Sequence, residues 1–184
     1  IGSAVSYEGL DDLMDALRLI IDNGTTNFKM IMIGDGDFMP QVKERAEKLN
    51  LSDYVQFVGR VPHERVEAYY SLIDIAPFPR LPLPVTEMVS PLKPFEAMAM
   101  EKAVIASDVD ALSEIVKDNE TGLLFEKGNI EDLAKKLLQL ISDEKLRKKL
   151  GERARIWVEK NRDWNVICST LNNAYLELEN SQPL

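Results

Sequence analysis

The sequence predicts a three-layer α/β domain with a mostly parallel β-sheet. Segments with the apolar spacing of helices alternate along the chain with short segments that are apolar almost throughout, as buried strands are. Strands that are apolar on both faces are typical of parallel sheets covered by helices on both sides. With 184 residues, the chain has room for one such domain or slightly more.

The first half of the chain follows this alternation. Leu13, Leu17 and Ile20 lie on one face of a helix predicted over Glu8 to Asn23, which Asn23-Gly24 ends. The next predicted elements are a strand over Phe28 to Ile33, a helix over Phe38 to Leu49, a strand over Tyr54 to Val58, a helix over His63 to Leu72 and a strand over Ile73 to Phe78.

A proline-rich loop, Phe78 to Ser90, precedes the second half, and its length fits either a recognition loop or a rigid surface excursion. The predicted elements after it are a helix that contains Glu96, a strand over Ala103 to Ala106, a short helix near Ala111 to Val116, a strand over Gly122 to Phe125, and helices over Ile130 to Leu140, Glu144 to Lys160 and Trp164 to Leu178. Ile1 to Val5 reads as the tail of a first strand, and we interpret the chain as one domain of a longer protein.

Composition excludes several classes of function. The net charge of -9 argues against a nucleic-acid partner and against attachment to an anionic membrane, since both require a basic surface. No run of residues has the length of a transmembrane helix. The single cysteine, Cys168, fits a reducing compartment, and its apolar neighbours predict a thiol packed in the core.

Metal and nucleophile chemistry find little support in the sequence. His63 is the only histidine, and its position after Pro62 favours helix capping or exposure over catalysis. With one His and one Cys, a Cys/His metal site is excluded and a Cys-His nucleophile pair is not expected.

The loops that follow the predicted strands are the expected ligand site, because ligands of parallel sheets bind beyond the carboxyl ends of the strands. The helix with Glu96 begins with a proline, which suits anion binding by its free amides. Lys93 lies near that end, where the helix dipole does not favour a cation, and its presence suggests a further negative charge nearby.

Five blocks of the sequence, in order, resemble glycosyltransferase family 4, whose members are retaining enzymes with the GT-B fold. Residues 95–99 and 103–107 are similar to the family's "EAMA … PVIAS" block. The other similar blocks are Ile31 to Gly36 ("GxG" after a strand), Val55 to Pro62 ("VxFxGxVP"), Tyr69 to Ala76 ("YYxxADI") and Glu114 to Phe125 ("EIVxxGxTGLLF").

The resemblance implies a Rossmann-like domain, residues 1–162, that forms the donor-binding half of a GT-B enzyme. Residues 163–184 are then the candidate for the helix that crosses back to an N-terminal, acceptor-binding half. The enzyme would transfer a sugar from a nucleotide-diphospho-sugar, its substrate, to a glycan or polysaccharide, with retention and without a bound metal or a cofactor. The implied location is cytoplasmic, with contact to the inner membrane face only through the other half. We expect this half alone to be inactive.

The resemblance also implies roles for individual residues. Glu96 matches the glutamate that accepts hydrogen bonds from the ribose hydroxyls of the donor. The family places a second glutamate eight positions earlier, where this chain has Met88; the adjacent Glu87 is therefore the candidate for the donor-sugar contact, or the contact is lost. Lys93 is the candidate to neutralise the diphosphate, because Glu8 stands where the family commonly has a lysine.

Three weaker candidates lie in the loops. Gly34 and Gly36 would let backbone approach the nucleotide, although a tight strand-to-helix turn explains them as well. Arg60 could stack on the base or lie on the surface. Two other functions stay open: a sugar-nucleotide epimerase of the same fold, and a binding domain that has lost catalysis. A flavodoxin-like or receiver-type domain fits less well, because no acidic cluster with a phosphoacceptor aspartate can be assembled.

Overall fold

The computed structural model describes residues 1–181 of the chain, with side chains described through residue 178. Strands and helices alternate in this part as the sequence predicts. The strands are β1 Met30–Ile33, β2 Val55–Gly59, β3 Ile75–Phe78, β4 Ala103–Ser107 and β5 Leu123–Phe125. The helices are α1 Leu10–Asp22, α2 Met39–Lys48, α3 Val66–Ser71, α4 Pro84–Met88, α5 Lys93–Ala99, α6 Asp110–Ser113, α7 Ile130–Ser142, α8 Glu144–Arg162 and α9 Trp164–Ser181, with short 3-10 turns at Ser6–Glu8 and His63–Arg65.

The strand pairs in this part of the chain are all parallel, and they form two separate pieces of sheet. One piece pairs β1 with β2; the other places β3, β4 and β5 side by side in that order. The prediction of an α/β fold with a mostly parallel sheet is confirmed. Its division into two pieces is a finding of the structure.

Helices cover both faces of the sheet, as β4 shows. Ala103 and Ile105 belong to the core cluster that contains residues of α1 and α7, whereas Val104 and Ala106 belong to the cluster that contains residues of α5 and α8. Successive side chains of a strand point to opposite faces, so a strand apolar at every position serves two cores. This arrangement is the three-layer architecture that the uniformly apolar strands indicate.

The start of the chain corrects one prediction. Residues 1–5 do not form a regular strand. The amides of Gly2 and Ala4 donate hydrogen bonds to the carbonyl oxygens of Ile33 and Asp35, at 2.8 and 2.9 Å. The segment therefore lies alongside the end of β1 and the loop that follows it.

The proline-rich loop is ordered around the short helix α4. Thr86 is buried, and its hydroxyl accepts a hydrogen bond from the amide of Leu83 and donates to the carbonyl oxygen of the same residue. These contacts lie at the start of the helix. Both interpretations of this loop, a recognition loop and a rigid surface excursion, stay open.

The exposure of one side chain on α9 differs from expectation. Cys168 is exposed, so the prediction of a core thiol was wrong: the apolar residues around it on α9 are exposed as well. Trp157 on α8 is half-buried, and its ring stacks on Phe95 with centroids 6.5 Å apart. Trp164 and Tyr175 of α9 are exposed. That α9 crosses to another domain stays a prediction.

Candidate functional site

The loops that carry the candidate residues meet at the carboxyl ends of the strands. A cavity of about 250 Å³ is lined by Gly34 after β1, by Arg60 after β2, and by Ile1 and Gly2. Ile1 and Gly2 also line a larger cavity of about 400 Å³, together with Lys93 and other residues. Three of the predicted site residues, Gly34, Arg60 and Lys93, thus line these cavities next to Gly2, whereas Gly36, Glu87 and Glu96 line neither.

Glu96 is held in place by a tyrosine. It lies exposed on α5, and its Oε2 accepts a hydrogen bond of 3.2 Å from the hydroxyl of Tyr70 on α3. Tyr70 is buried, and burial, followed by the charge of Glu96, raises the pKa of its phenol above the ordinary value. The phenol therefore stays protonated and donates, which orients the carboxylate and leaves its other lone pairs for a ligand.

Lys93 begins α5, one position earlier than the proline that was expected to begin it; Pro94 takes the second position. Its ammonium group lies 3.9 Å from Oε1 of Glu8, and its side chain is 28% exposed. Gly2 packs directly on the lysine stem, since a Cβ at Gly2 would lie 2.2 Å from Cε of Lys93. The negative charge expected near Lys93 is therefore present, and it is Glu8.

Glu8 and Arg80 form a buried ion pair that the sequence analysis missed. Nη2 of Arg80 donates to Oε1 of Glu8 at 3.0 Å, and both side chains are about 10% exposed or less. Arg80 also donates from Nη1 to the carbonyl of Val89, and its own carbonyl accepts from the hydroxyl of Ser107. The sequence offers one signal for this pair: Arg80 is the single charged residue in an otherwise Pro- and Leu-rich run.

The acidic residue at position 8 thus has a structural partner. Glu8 stands where glycosyltransferase family 4 commonly has a lysine. Its carboxylate neutralises the guanidinium of Arg80 and lies beside a second cation, Lys93. Arg80 is committed to Glu8 and Val89, so the cation with exposed surface at this point is Lys93.

Glu87 connects the loop to two neighbouring loops. Its Oε2 accepts from the amide of Asp110 at 2.7 Å, and its Oε1 accepts from Nζ of Lys127 at 2.8 Å. The hydrogen bond from Lys127, followed by the Asp110 amide, lowers the pKa of the Glu87 carboxyl. Met88, at the position where the family pattern places the glutamate, is largely exposed. The donor-sugar contact of Glu87 stays a prediction.

Gly34 and Gly36 allow a close approach of the chain to itself. Their φ angles are 128° and 155°, and a Cβ at either position would lie 1.8 Å from the carbonyl oxygen of Gly2 or 2.2 Å from that of Ala4. The turn explanation of these glycines therefore has direct support, and their contact with a nucleotide stays a prediction. Arg60 and His63 are exposed at the same cavity, and for His63 exposure was expected.

Metal ligands do not cluster in this domain as far as its side chains are described. Through residue 178, no group of three or more His, Cys, Asp and Glu side chains could hold a metal ion. No helix within the described residues is long and apolar enough to span a membrane.

Comparison with known proteins identifies the family. The family "Glycosyl transferases group 1" matches residues 1–157, and the chain belongs to it. It is 33% identical over 178 residues to an uncharacterised glycosyltransferase of Methanocaldococcus jannaschii, covering 97% of this chain and 47% of that protein. It is 28% identical over 182 residues to the capsular polysaccharide biosynthesis glycosyltransferase CapM of Staphylococcus aureus, covering 95% of this chain and 44% of the relative.

Solved structures agree on the domain. The C-terminal domain of a glycosyl transferase group 1 family protein (LpcC) from Francisella tularensis superposes with a TM-score of 0.74 at 25% identity, over 87% of this chain and 82% of that one. The fold is that of the C-terminal, Rossmann-like domain of GT-B glycosyltransferases, as the resemblance implied. The chain spans about half the length of the curated relatives that it matches.

Proposed function

We propose that this chain is the donor-binding half of a retaining glycosyltransferase that uses a nucleotide-diphospho-sugar. The observation that supports the proposal is the arrangement on α5, where Lys93 and Glu96 lie three residues apart and therefore on one face of the helix. A carboxylate accepts hydrogen bonds from two ribose hydroxyls, and an ammonium group neutralises phosphate. Both groups lie where parallel sheets bind ligands.

The roles of the two residues follow from their surroundings. Tyr70 occupies one lone pair of Glu96 and restricts its rotation, so the carboxylate is oriented before the ligand arrives. Lys93 is only loosely paired at 3.9 Å, so a diphosphate can replace Glu8 as its partner. When the glycosidic bond breaks, negative charge develops on the departing diphosphate, and Lys93 would stabilise it.

Glu87 can contact a donor sugar without losing its present contacts. Each carboxylate oxygen has two lone pairs, and the bonds from Asp110 and Lys127 use one on each. One sugar hydroxyl could therefore bind the same carboxylate. We assign Gly34, Gly36 and Arg60 to the nucleotide side of the site.

We propose that the acceptor site belongs to an N-terminal domain of the same polypeptide, and that the acceptor is a glycan or polysaccharide. The name of the relative CapM, from capsular polysaccharide biosynthesis, supports this choice of acceptor. We further propose that the reaction needs no metal and takes place in the cytoplasm. This chain alone would then bind the donor and show little or no sugar transfer. Appreciable sugar transfer by this chain alone would contradict the placement of the acceptor site in another domain.

The test is a ligand-observed NMR titration with UDP, GDP, ADP and CMP in EDTA. We expect saturable binding of one diphosphate, weakened about 10- to 100-fold in Glu96→Gln, because a charged hydrogen bond contributes about 1.5–3 kcal/mol. Lys93→Met should weaken binding of the diphosphate but leave binding of the parent nucleoside unchanged. Tyr70→Phe should weaken binding of both ligands by less than Glu96→Gln does.

Two comparisons make the titration decisive. Lys102→Met removes a half-buried lysine beyond the other end of α5, so it should leave every affinity unchanged. A 2′-deoxy diphosphate should bind more weakly than its ribose form to the unmodified chain, and this difference should shrink in Glu96→Gln. Equal binding to Glu96→Gln and to the unmodified chain, or no binding of any nucleotide, would contradict the proposed site.

A further inference from the structure

Helix α8 has the opposite charge to the rest of the chain. It carries eight Lys and Arg residues against three Glu, whereas the whole chain has 22 Lys and Arg against 31 Asp and Glu. The net charge of -9 is therefore an average over unlike surfaces. A basic surface, which the composition of the chain as a whole argues against, is present on this one helix.

Many exposed residues of α8 fall into two rows along the helix. Positions three or four apart lie above one another on a helix, so each row follows such spacings. One row alternates in charge, and we call it the mixed row: Glu144, Lys148, Glu152, Arg155 and Glu159. Lys148 pairs with Glu144 at 2.7 Å. Arg155 pairs with Glu159 at 2.8 Å. The mixed row therefore offers little net charge to a partner.

The second row has no acidic member, and we call it the basic row. It runs through Lys145, Lys149, Arg153, Ile156 and Lys160, all of which are exposed. As far as the side chains of the chain are described, its four cations take part in no ion pair or hydrogen bond. At about 1.5 Å per residue, the row extends over about 22 Å along one side of the helix. Four cations in a line are thus available to a partner.

The basic row is turned away from the domain. Leu150, Gly151 and Ala154, on the other side of α8, are buried. Because that side anchors the helix, α8 can present the basic row to a flat partner without leaving the domain. Ile156 lies within the row and is 64% exposed. Trp164, just past the end of the row at the start of α9, is 77% exposed.

We propose that the basic row of α8 docks this domain on the surface of an anionic lipid bilayer. Clusters of four or more Lys and Arg on an amphipathic helix attract anionic lipids, and each such residue near the surface strengthens binding roughly fivefold. Charges more than about 8 Å away are largely screened at physiological salt, so the acidic remainder of the chain cancels little of this attraction.

Two side chains favour a bilayer over a nucleic acid as the partner. Ile156 gains nothing from a phosphate backbone, but an aliphatic side chain can enter the boundary between headgroups and acyl chains. An exposed tryptophan such as Trp164 is typical of the membrane–water interface. The inference does not rest on the proposed function. It places the membrane contact on this domain itself, whereas the sequence led us to expect such contact only through another domain.

The test is co-sedimentation of the chain with vesicles that contain phosphatidylglycerol and phosphatidylcholine in equal parts. Vesicles of phosphatidylcholine alone are the reference. We expect binding to the anionic vesicles only, and sodium chloride at about 1 M, which shortens the Debye length to about 3 Å, should remove most of it. Equal binding to both kinds of vesicle, or binding to neither, would overturn the proposal.

Two double variants locate the docking surface. Lys145→Gln combined with Lys149→Gln removes two cations of the basic row and should weaken binding to the anionic vesicles about 25-fold. Lys148→Gln combined with Arg155→Gln removes the same charge from the mixed row. Its effect should be clearly smaller, because these cations are already paired with glutamates. Equal losses would show that binding follows the total charge of the chain, and the proposal would be wrong.

Three further measurements separate the bilayer from other partners of a basic surface. Ile156→Ser changes no charge, yet it should weaken binding to the anionic vesicles severalfold, and an unchanged affinity would count against the proposal. The chain should not bind single-stranded RNA in fluorescence polarisation, and it should stay monomeric in sedimentation without lipid. RNA binding or dimerisation that is lost in Lys145→Gln with Lys149→Gln would assign the basic row to that other partner and overturn the proposal.

Discussion

The buried pair of Glu8 and Arg80 makes a stability prediction that can be worked out from the structure. Both side chains lie out of solvent at 3.0 Å, so solvent screening is small. Breaking a buried pair by removing one partner costs about 3–5 kcal/mol, because the other charge is left uncompensated. Each remaining partner has a second contact here: Arg80 keeps the carbonyl of Val89, and Glu8 keeps Lys93 at 3.9 Å.

We therefore expect the low end of that range. Glu8→Met and Arg80→Met should each lower the free energy of unfolding by about 3 kcal/mol, or about 6–12 °C in melting temperature for a domain of this size. The double variant leaves no buried charge unpaired and should cost about 1 kcal/mol or less, rather than the roughly 6 kcal/mol of two independent losses.

The assay is urea unfolding of the four proteins, with the denaturant slope compared as a check on the two-state assumption. Lys148→Met, which removes an exposed i,i+4 ion pair with Glu144, is the control and should change stability by less than about 1 kcal/mol. If the two single changes add up in the double variant, Glu8 and Arg80 do not interact energetically, and the reasoning from the buried pair fails.

Two further predictions concern the loops at the site. Lys127→Met should raise the pKa of the Glu87 carboxyl measured by NMR, because it removes the main cause of the lowered pKa. A lowered carboxyl pKa stabilises the folded protein at pH values above the ordinary carboxyl pKa, and this stabilisation is lost as the pH falls through the lowered pKa. The variant should therefore lose less stability in acid than the unmodified chain does. An unchanged Glu87 titration would contradict the contact. Gly34→Ala should destabilise by about 2 kcal/mol or more, since a Cβ would overlap the Gly2 carbonyl. Gly24→Ala, with positive φ but open space, controls for backbone strain, and an equal loss in both would show that Gly2 does not pack there.

Much of the fold was predictable because it depends on local periodicity. The strands are apolar at almost every position, and β4 shows why: its two faces belong to two different cores. The placement of Lys93 and Glu96 on one helix also follows from their spacing of three residues. These features need only the geometry of a single element, which neighbouring residues determine.

The errors have a common physical origin. Cys168 was expected in the core because its neighbours are apolar, but α9 exposes those neighbours. An apolar stripe shows that a surface can be buried, and it does not show what buries it. For the same reason, the division of the sheet into two pieces could not be read from strands that are individually regular.

The sequence by itself determined the family, the alternation of strands and helices, and the residue types at the edge of the sheet, because motifs and periodicity are local properties. Only the tertiary structure decided which charges meet. Glu8 and Arg80 lie 72 positions apart, and Glu87 and Lys127 lie 40 apart. Such pairs form when parallel strands bring the loops at their carboxyl ends together, and this proximity depends on the strand order, which no short stretch of sequence contains.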